Sequence, residues 1–192
     1  MGTEAARSSR RTRADSLRNR DRLVEAATHV FSVGGRQAKL DAVAREAGVG
    51  IGTLYRHFPT REALFEAVYR REVDHLVTLA ERLAREAPPV DALREWLHAN
   101  AGLMATKKGM VEALQLVAYG SSELKAYSFE RLTNSLALLL DRGVKAGELR
   151  DDITAEELLR TVVGVFYADG PQGWQASALR IVDVLIDGLR RR

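Results

Sequence analysis

Leu40-Asp41-Ala42-Val43-Ala44-Arg45-Glu46-Ala47-Gly48-Val49-Gly50-Ile51-Gly52-Thr53-Leu54-Tyr55-Arg56-His57-Phe58 reads as two short helices joined by a tight turn. Val43, Ala44 and Ala47 recur at helical spacing and give the first helix one apolar face. Gly48 follows at the point where an ending helix needs a residue that tolerates left-handed dihedrals. Val49 places an apolar anchor inside the turn. Leu54 and Phe58, four residues apart, share one face of the second helix, and Thr53, Tyr55, Arg56 and His57 occupy the other. Small residues on the first helix let the second cross it closely. This is the pattern of a helix-turn-helix, whose second helix enters the DNA major groove.

With Thr60-Arg61-Glu62-Ala63-Leu64 behind it, the run Gly48-Val49-Gly50-Ile51-Gly52-Thr53-Leu54-Tyr55-Arg56-His57-Phe58 resembles the N-terminal signature of TetR-family transcriptional regulators. The resemblance covers residues 20–68; further on it extends only to chain length and an all-helical pattern. It implies a homodimer that binds a double-stranded DNA operator and is released by a small-molecule effector. It also implies that Tyr55 and His57 match positions that contact the DNA backbone. Two departures stand out. Ala38 and Lys39 occupy the places where the family has Thr or Ser before the second helix. Gly50, Ile51 and Gly52 lie where polar base readers are common, so the operator sequence does not follow from the chain.

Composition sets outer bounds. The 192 residues are enough for one or two compact domains, and 46% hydrophobic content argues for a packed core. The absence of Cys excludes disulfides and thiolate metal sites. No apolar run approaches the roughly 20 residues of a membrane span. The Arg-rich start lacks the apolar core of a signal peptide. A cytoplasmic protein with no membrane partner and no cofactor is expected. Charge is uneven: Met1 to Arg61 holds 12 Lys/Arg against 6 Asp/Glu, net +6, whereas Glu62 to Arg192 holds 17 against 20, net −3. A basic N-terminal third on an acidic remainder fits a nucleic-acid module joined to a different one.

The periodicity predicts an all-α chain of about nine helices. Residues 1–18, with Arg7, Arg10, Arg11, Arg13 and Arg18 and no apolar stripe, are expected to form a disordered basic arm. The resemblance implies a DNA-binding domain over residues 19–65 and a helical ligand-binding and dimerisation domain over residues 66–192. Thr60 suits the N-cap of a long helix to about Glu86. Pro88-Pro89 closes that helix. A further helix runs to about Met104, Lys107-Lys108-Gly109 breaks it, and Met110 opens another. Long helices follow over about 123–145 and, after a Thr154/Glu157 capping box, through Tyr167. The last covers about Trp174 to Leu189.

Three groups of candidate site residues follow. For DNA they are Lys39, Gly50, Ile51, Gly52, Thr53, Tyr55, Arg56, His57 and Arg61. Arg61 opens a helix whose free N–H groups suit a phosphate. Arg56 either reaches guanine O6/N7 or binds phosphate, and Ile51 can touch a thymine methyl. Trp96, Asn100, Met104, Gln115, Tyr119, Tyr127 and Phe166 are candidates for an apolar ligand cavity, with ordinary core packing as the alternative for each. Asn100 and Gln115 stand out, because an amide on an otherwise apolar face must find a partner. Val162, Val163, Phe166, Tyr167, Val182, Leu185, Ile186 and Leu189 line two wide apolar faces suited to a dimer interface or to the subunit's own core.

Rival functions are weaker. His29, His57, His75 and His98 are scattered, without metal-ligand spacing, and no phosphate loop or nucleophile elbow exists, so an enzyme is not expected. A transcriptional activator of the same fold remains open, as does an architectural DNA-binding protein of low specificity.

Overall fold

The computed structural model describes residues 2–34, 37–114, 122–167 and 174–191, with side chains at 15–34, 37–111, 122–166 and 176–191. It contains eight helices: α1 (Gly2–Gly34), α2 (Leu40–Glu46), α3 (Ile51–His57), α4 (Arg61–Glu86), α5 (Pro89–Leu114), α6 (Ser122–Lys145), α7 (Ala155–Tyr167) and α8 (Trp174–Leu189). No strand occurs among the described residues, and an isolated antiparallel bridge pairs Leu149 with Arg190.

The chain divides into two compact units. The first holds α1, α2, α3, α4 through Val68, and α5 from Thr106 onward. Its core comes from Leu23, Val24, Ala27 and Phe31 of α1, Val43 and Ala44 of α2, and Leu54 of α3. Phe58, Leu64, Phe65 and Val68 complete it. The second unit holds Tyr69 to Ala105 and Ser121 to Arg192. There Trp96 is wholly buried and its indole N–H donates to the Leu76 carbonyl at 2.8 Å. The Arg142 guanidinium of α6 donates to the Ala87 carbonyl at 2.6 Å, just past the end of α4, and at 3.2 Å to the Leu83 carbonyl, which also accepts the Ala87 N–H.

Local chemistry explains most helix ends. The Thr60 hydroxyl accepts the Ala63 N–H at 3.1 Å and caps α4. Pro89 opens α5, where a missing N–H costs nothing. At α7 the Thr154 hydroxyl accepts the Glu157 N–H at 3.2 Å, and the Glu157 carboxylate accepts the Thr154 N–H at 2.8 Å. The bonds that the Glu157 carboxylate accepts, from the Thr154 N–H and the Thr154 hydroxyl, hold it below its ordinary value.

Three expectations differ from the described helices. Where a disordered arm was expected over residues 1–18, the backbone of residues 2–18 continues α1 back to Gly2. Ala and Arg are good helix formers and no Pro interrupts the segment. A helix nucleated by the packed part of α1 propagates outward one hydrogen bond at a time and needs no apolar stripe of its own. Lys107-Lys108-Gly109 does not break the chain, so eight helices are described where nine were expected. Glycine costs a helix interior about 1 kcal/mol relative to alanine. Burial of Leu103, Met104 and Met110 along α5 offsets a penalty of that size. The expected boundary at residues 65–66 falls inside α4; the compact units part three residues later.

Candidate functional site

The turn between α2 and α3 is built by backbone geometry. The N–H groups of Ala47, Gly48 and Val49 return to the carbonyls of Val43 (2.9 Å), Arg45 (3.1 Å) and Ala44 (3.0 Å). Closing that pattern puts Gly48 at φ +67°, where a side chain would strain the backbone. α3 then presents two faces. Leu54 and, just past its end, Phe58 are buried, while Tyr55 is 50% exposed, Ile51 38% exposed and Arg56 open to solvent. Thr53 and His57 are half-buried at the flanks. Gly50 and Gly52 are exposed, with open space above each Cα.

Neighbouring residues extend this surface. Arg61 is exposed at the first position of α4. Lys39 is exposed at the N-cap of α2, with extended dihedrals (φ −122°, ψ 148°) and no capping bond from its side chain. The nine DNA-binding candidates are thus all exposed or half-buried in the first unit. α1 braces the helix-turn-helix. His29 Nδ1 lies 2.5 Å from Glu46 Oε1 on α2, and the Arg20 guanidinium covers the Phe58 ring at 5.1 Å.

The bare cap at Lys39 yields a prediction. Its dihedrals already suit a capping serine. Lys39→Ser is expected to raise stability by about 1 kcal/mol, measured by urea unfolding. If Lys39 meets a phosphate, the same change lowers the salt dependence of DNA binding by about one counterion. An unchanged salt slope would remove Lys39 from the interface.

The candidates in the second unit fare differently. Trp96, Met104 and Phe166 are buried. Tyr127 is not an interior polar group: its hydroxyl donates to Asp74 Oδ1 at 2.8 Å on an exposed edge, with the Arg70 guanidinium over its ring at 4.5 Å and that of Arg131 at 5.1 Å. Burial, then the Asp74 carboxylate, raise its hydroxyl above the ordinary tyrosine value. Gln115 and Tyr119 lie outside the described residues. Asn100 is the exception. It is 0% exposed, and neither Oδ1 nor Nδ2 has a hydrogen-bond partner. Leaving one such buried group unpaired costs about 1–3 kcal/mol. The other buried polar side chains of this unit, Ser128 and Ser135, are satisfied by the carbonyls of Lys125 and Arg131.

Most of the proposed dimer residues take the core alternative within the single chain. Val162, Phe166, Val182, Ile186 and Leu189 are buried within the single chain, and Val163 and Leu185 are half-buried. The Tyr167 side chain lies outside those described. The exposed apolar groups of α8 are instead Ile181, at 46%, and Val184, at 71%. A wide apolar stripe buries its centre in its own subunit and leaves a flank outside. Ile181 and Val184 each precede a predicted residue by one position, a rotation of about 100° about the helix. The signal available in the sequence was the width of the stripe, which exceeds what one buried face needs. α8 is held to α5 beside this flank. Arg94 bonds Asp183 at 2.5 Å and Asp187 at 2.7 Å, and His98 Nε2 lies 2.8 Å from Asp183. Burial pushes the Asp183 carboxyl up, but bonds from His98 and Arg94 outweigh it and hold the group below its ordinary value.

Comparison with known proteins agrees with this geometry. Residues 23–68 match the family described as bacterial regulatory proteins, tetR family. Residues 88–191 match the C-terminal domain of SbtR-like transcriptional regulators. A TetR transcriptional regulator from Streptomyces coelicolor is 40% identical, with 89% of this chain and 98% of that chain covered and a TM-score of 0.76. A TetR transcription regulatory protein from Mycobacterium vanbaalenii is 31% identical over 94% of this chain and 99% of that chain, with a TM-score of 0.70. An HTH-type transcriptional regulator of Staphylococcus aureus (strain USA300) is 37% identical over 67 residues, 34% of this chain. That match spans 36% of the curated relative's length. With more than half of its length matched by one domain of these regulators and its helix-turn-helix matched by another, the chain belongs to the TetR family of bacterial DNA-binding transcriptional regulators, which are not enzymes.

Proposed function

We infer that the protein works as a homodimeric repressor that binds a palindromic operator and leaves it when a small molecule enters the second unit. The observation that carries the reading is the two-faced α3, with Leu54 and Phe58 locked in the core while Ile51, Tyr55 and Arg56 face outward. A helix so fixed presents its outer side chains to phosphates and base edges, and only those side chains remain to be ordered. Tyr55, His57, Lys39 and Arg61 supply phosphate contacts, and Thr53, Ile51 and Arg56 face the bases. Gly50 and Gly52 let the backbone approach the duplex.

A seven-residue helix makes few contacts, so specificity needs a second copy. Ile181 and Val184 support a twofold contact through α8. The unpaired amide of Asn100 supports an interior ligand. A ligand favouring one spacing of the two α3 helices shifts the population away from the DNA-bound form.

Selection of bound DNA from a random pool tests the reading. Enrichment of a palindrome with half-sites about one helical turn apart is expected; failure to enrich any site would sink it. On the selected site, Tyr55→Ala is expected to weaken binding to all sequences alike, by roughly tenfold for one lost charge-assisted contact. Ile51→Ala is expected to alter base preference at a thymine. An unaltered preference in a repeat selection would take Ile51 off the base edges.

A further inference from the structure

We propose that Asn100 anchors an uncharged ligand that carries a hydrogen-bond donor and acceptor side by side, as a carboxamide or lactam does. The proposal rests on the ligand-released reading above and names the chemistry of that ligand.

The side chain of Asn100 offers both functions at once: Oδ1 accepts and Nδ2 donates, in one plane. Both atoms are buried and both lack a partner. A ligand with only an acceptor or only a donor leaves the other half of the amide unpaired, whereas an amide edge pairs with both. Charge is disfavoured on the same grounds. The fully buried polar side chains of this unit, Asn100, Ser128 and Ser135, carry no charge, so Asn100 itself offers an ion no counter-charge. Its neighbours on α5 set the remainder of the ligand. Trp96, Leu97, Leu103 and Met104 lie three or four positions from Asn100 on α5, share its side of the helix, and are buried. The Trp96 N–H is committed to Leu76, so the indole presents apolar surface and no second donor. An amide edge on a mainly apolar body is the complement of this surface.

Four probes of nearly equal size separate the alternatives: benzamide (donor and acceptor), acetophenone (acceptor only), benzoate (charged) and cumene (neither). Each is titrated into the full-length protein, with the side-chain amide signals of Asn100 followed by NMR and assigned by their loss in Asn100→Leu. Benzamide is expected to move those signals and to bind about tenfold tighter than acetophenone, with benzoate weaker still. In Asn100→Leu the preference for benzamide is expected to vanish or to invert in favour of cumene. The variant keeps its melting temperature or gains, since an apolar group of similar shape replaces an unpaired amide. Three results overturn the proposal: the same probe order in both proteins, no binding by any probe at millimolar concentration, or cross-peaks from the Asn100 amide to a buried water that benzamide does not displace. The titration uses no DNA. Failure here with a palindrome enriched leaves the regulator standing, and failure to enrich a palindrome strikes that reading alone.

Discussion

Val184→Glu is expected to leave each subunit folded and to abolish operator binding. Val184 is 71% exposed in the single chain, so a polar substitution there falls among surface changes worth less than about 0.5 kcal/mol to the monomer. In a twofold contact through α8 the same position is buried and occurs twice, so the variant brings two like charges together in a desolvated patch. Asp183 and Asp187 flank it on the same helix, but both are held by Arg94, so that cation is already engaged and does not offset the new charge. Losing the dimer turns one bivalent binding event into two separate half-site events. The expected loss is on the order of 10²–10⁴-fold in operator affinity. Sedimentation velocity reads the dimer, a mobility-shift titration reads the affinity, and far-UV circular dichroism reads the fold. Val182→Glu is the matched contrast. It puts the same charge two residues back, into a fully buried site, and is expected to unfold the second unit. A dimeric Val184→Glu protein with full affinity would move the interface off this flank of α8.

That contrast also shows what was legible in the sequence and what was not. Leu54 and Phe58 could be assigned to the core because four-residue spacing beside Tyr55 and Arg56 leaves one buried face. The Thr154/Glu157 box was readable because its bonds span three residues. Local rules settle local structure. The exposed apolar flank of α8 was not readable, since period 3.6 says that a stripe exists and not which edge of a wide one is left over. Nor was the start of α1, where helix propagation depends on a packed segment further along the chain. Gly109 misled for a related reason: local propensity disfavours it in a helix, and the packing of α5 overrides that preference. Asn100 was conspicuous as an amide among apolar neighbours, but only the structure showed that neither end of it is paired.

Phe58→Ala is expected to cost about 3–5 kcal/mol, and the loss should be confined at first to the helix-turn-helix. Phe58 is 2% exposed, its N–H closes the last turn of α3 on the Leu54 carbonyl at 2.8 Å, and the Arg20 guanidinium covers its ring. Truncation removes the ring and its cation–π contact and opens a cavity. α3 has only seven residues, too few for a helix to persist without tertiary support. Its placement therefore depends on the burial of Leu54 and Phe58. A penalty of this size consumes a large share of the 5–15 kcal/mol that typically holds a domain together. Local opening should then become frequent before the whole chain unfolds. Amide exchange is the decisive measurement. Protection in α2 and α3 is expected to fall by roughly 10²–10³-fold, while α6, α7 and α8 keep theirs. DNA binding is expected to disappear with it. Tyr55→Ala provides the counterpart, since it should lose affinity with exchange rates unchanged. Uniform loss of protection across both units of Phe58→Ala would show that they unfold together. Unchanged protection would show that α3 is held by something other than its two buried side chains.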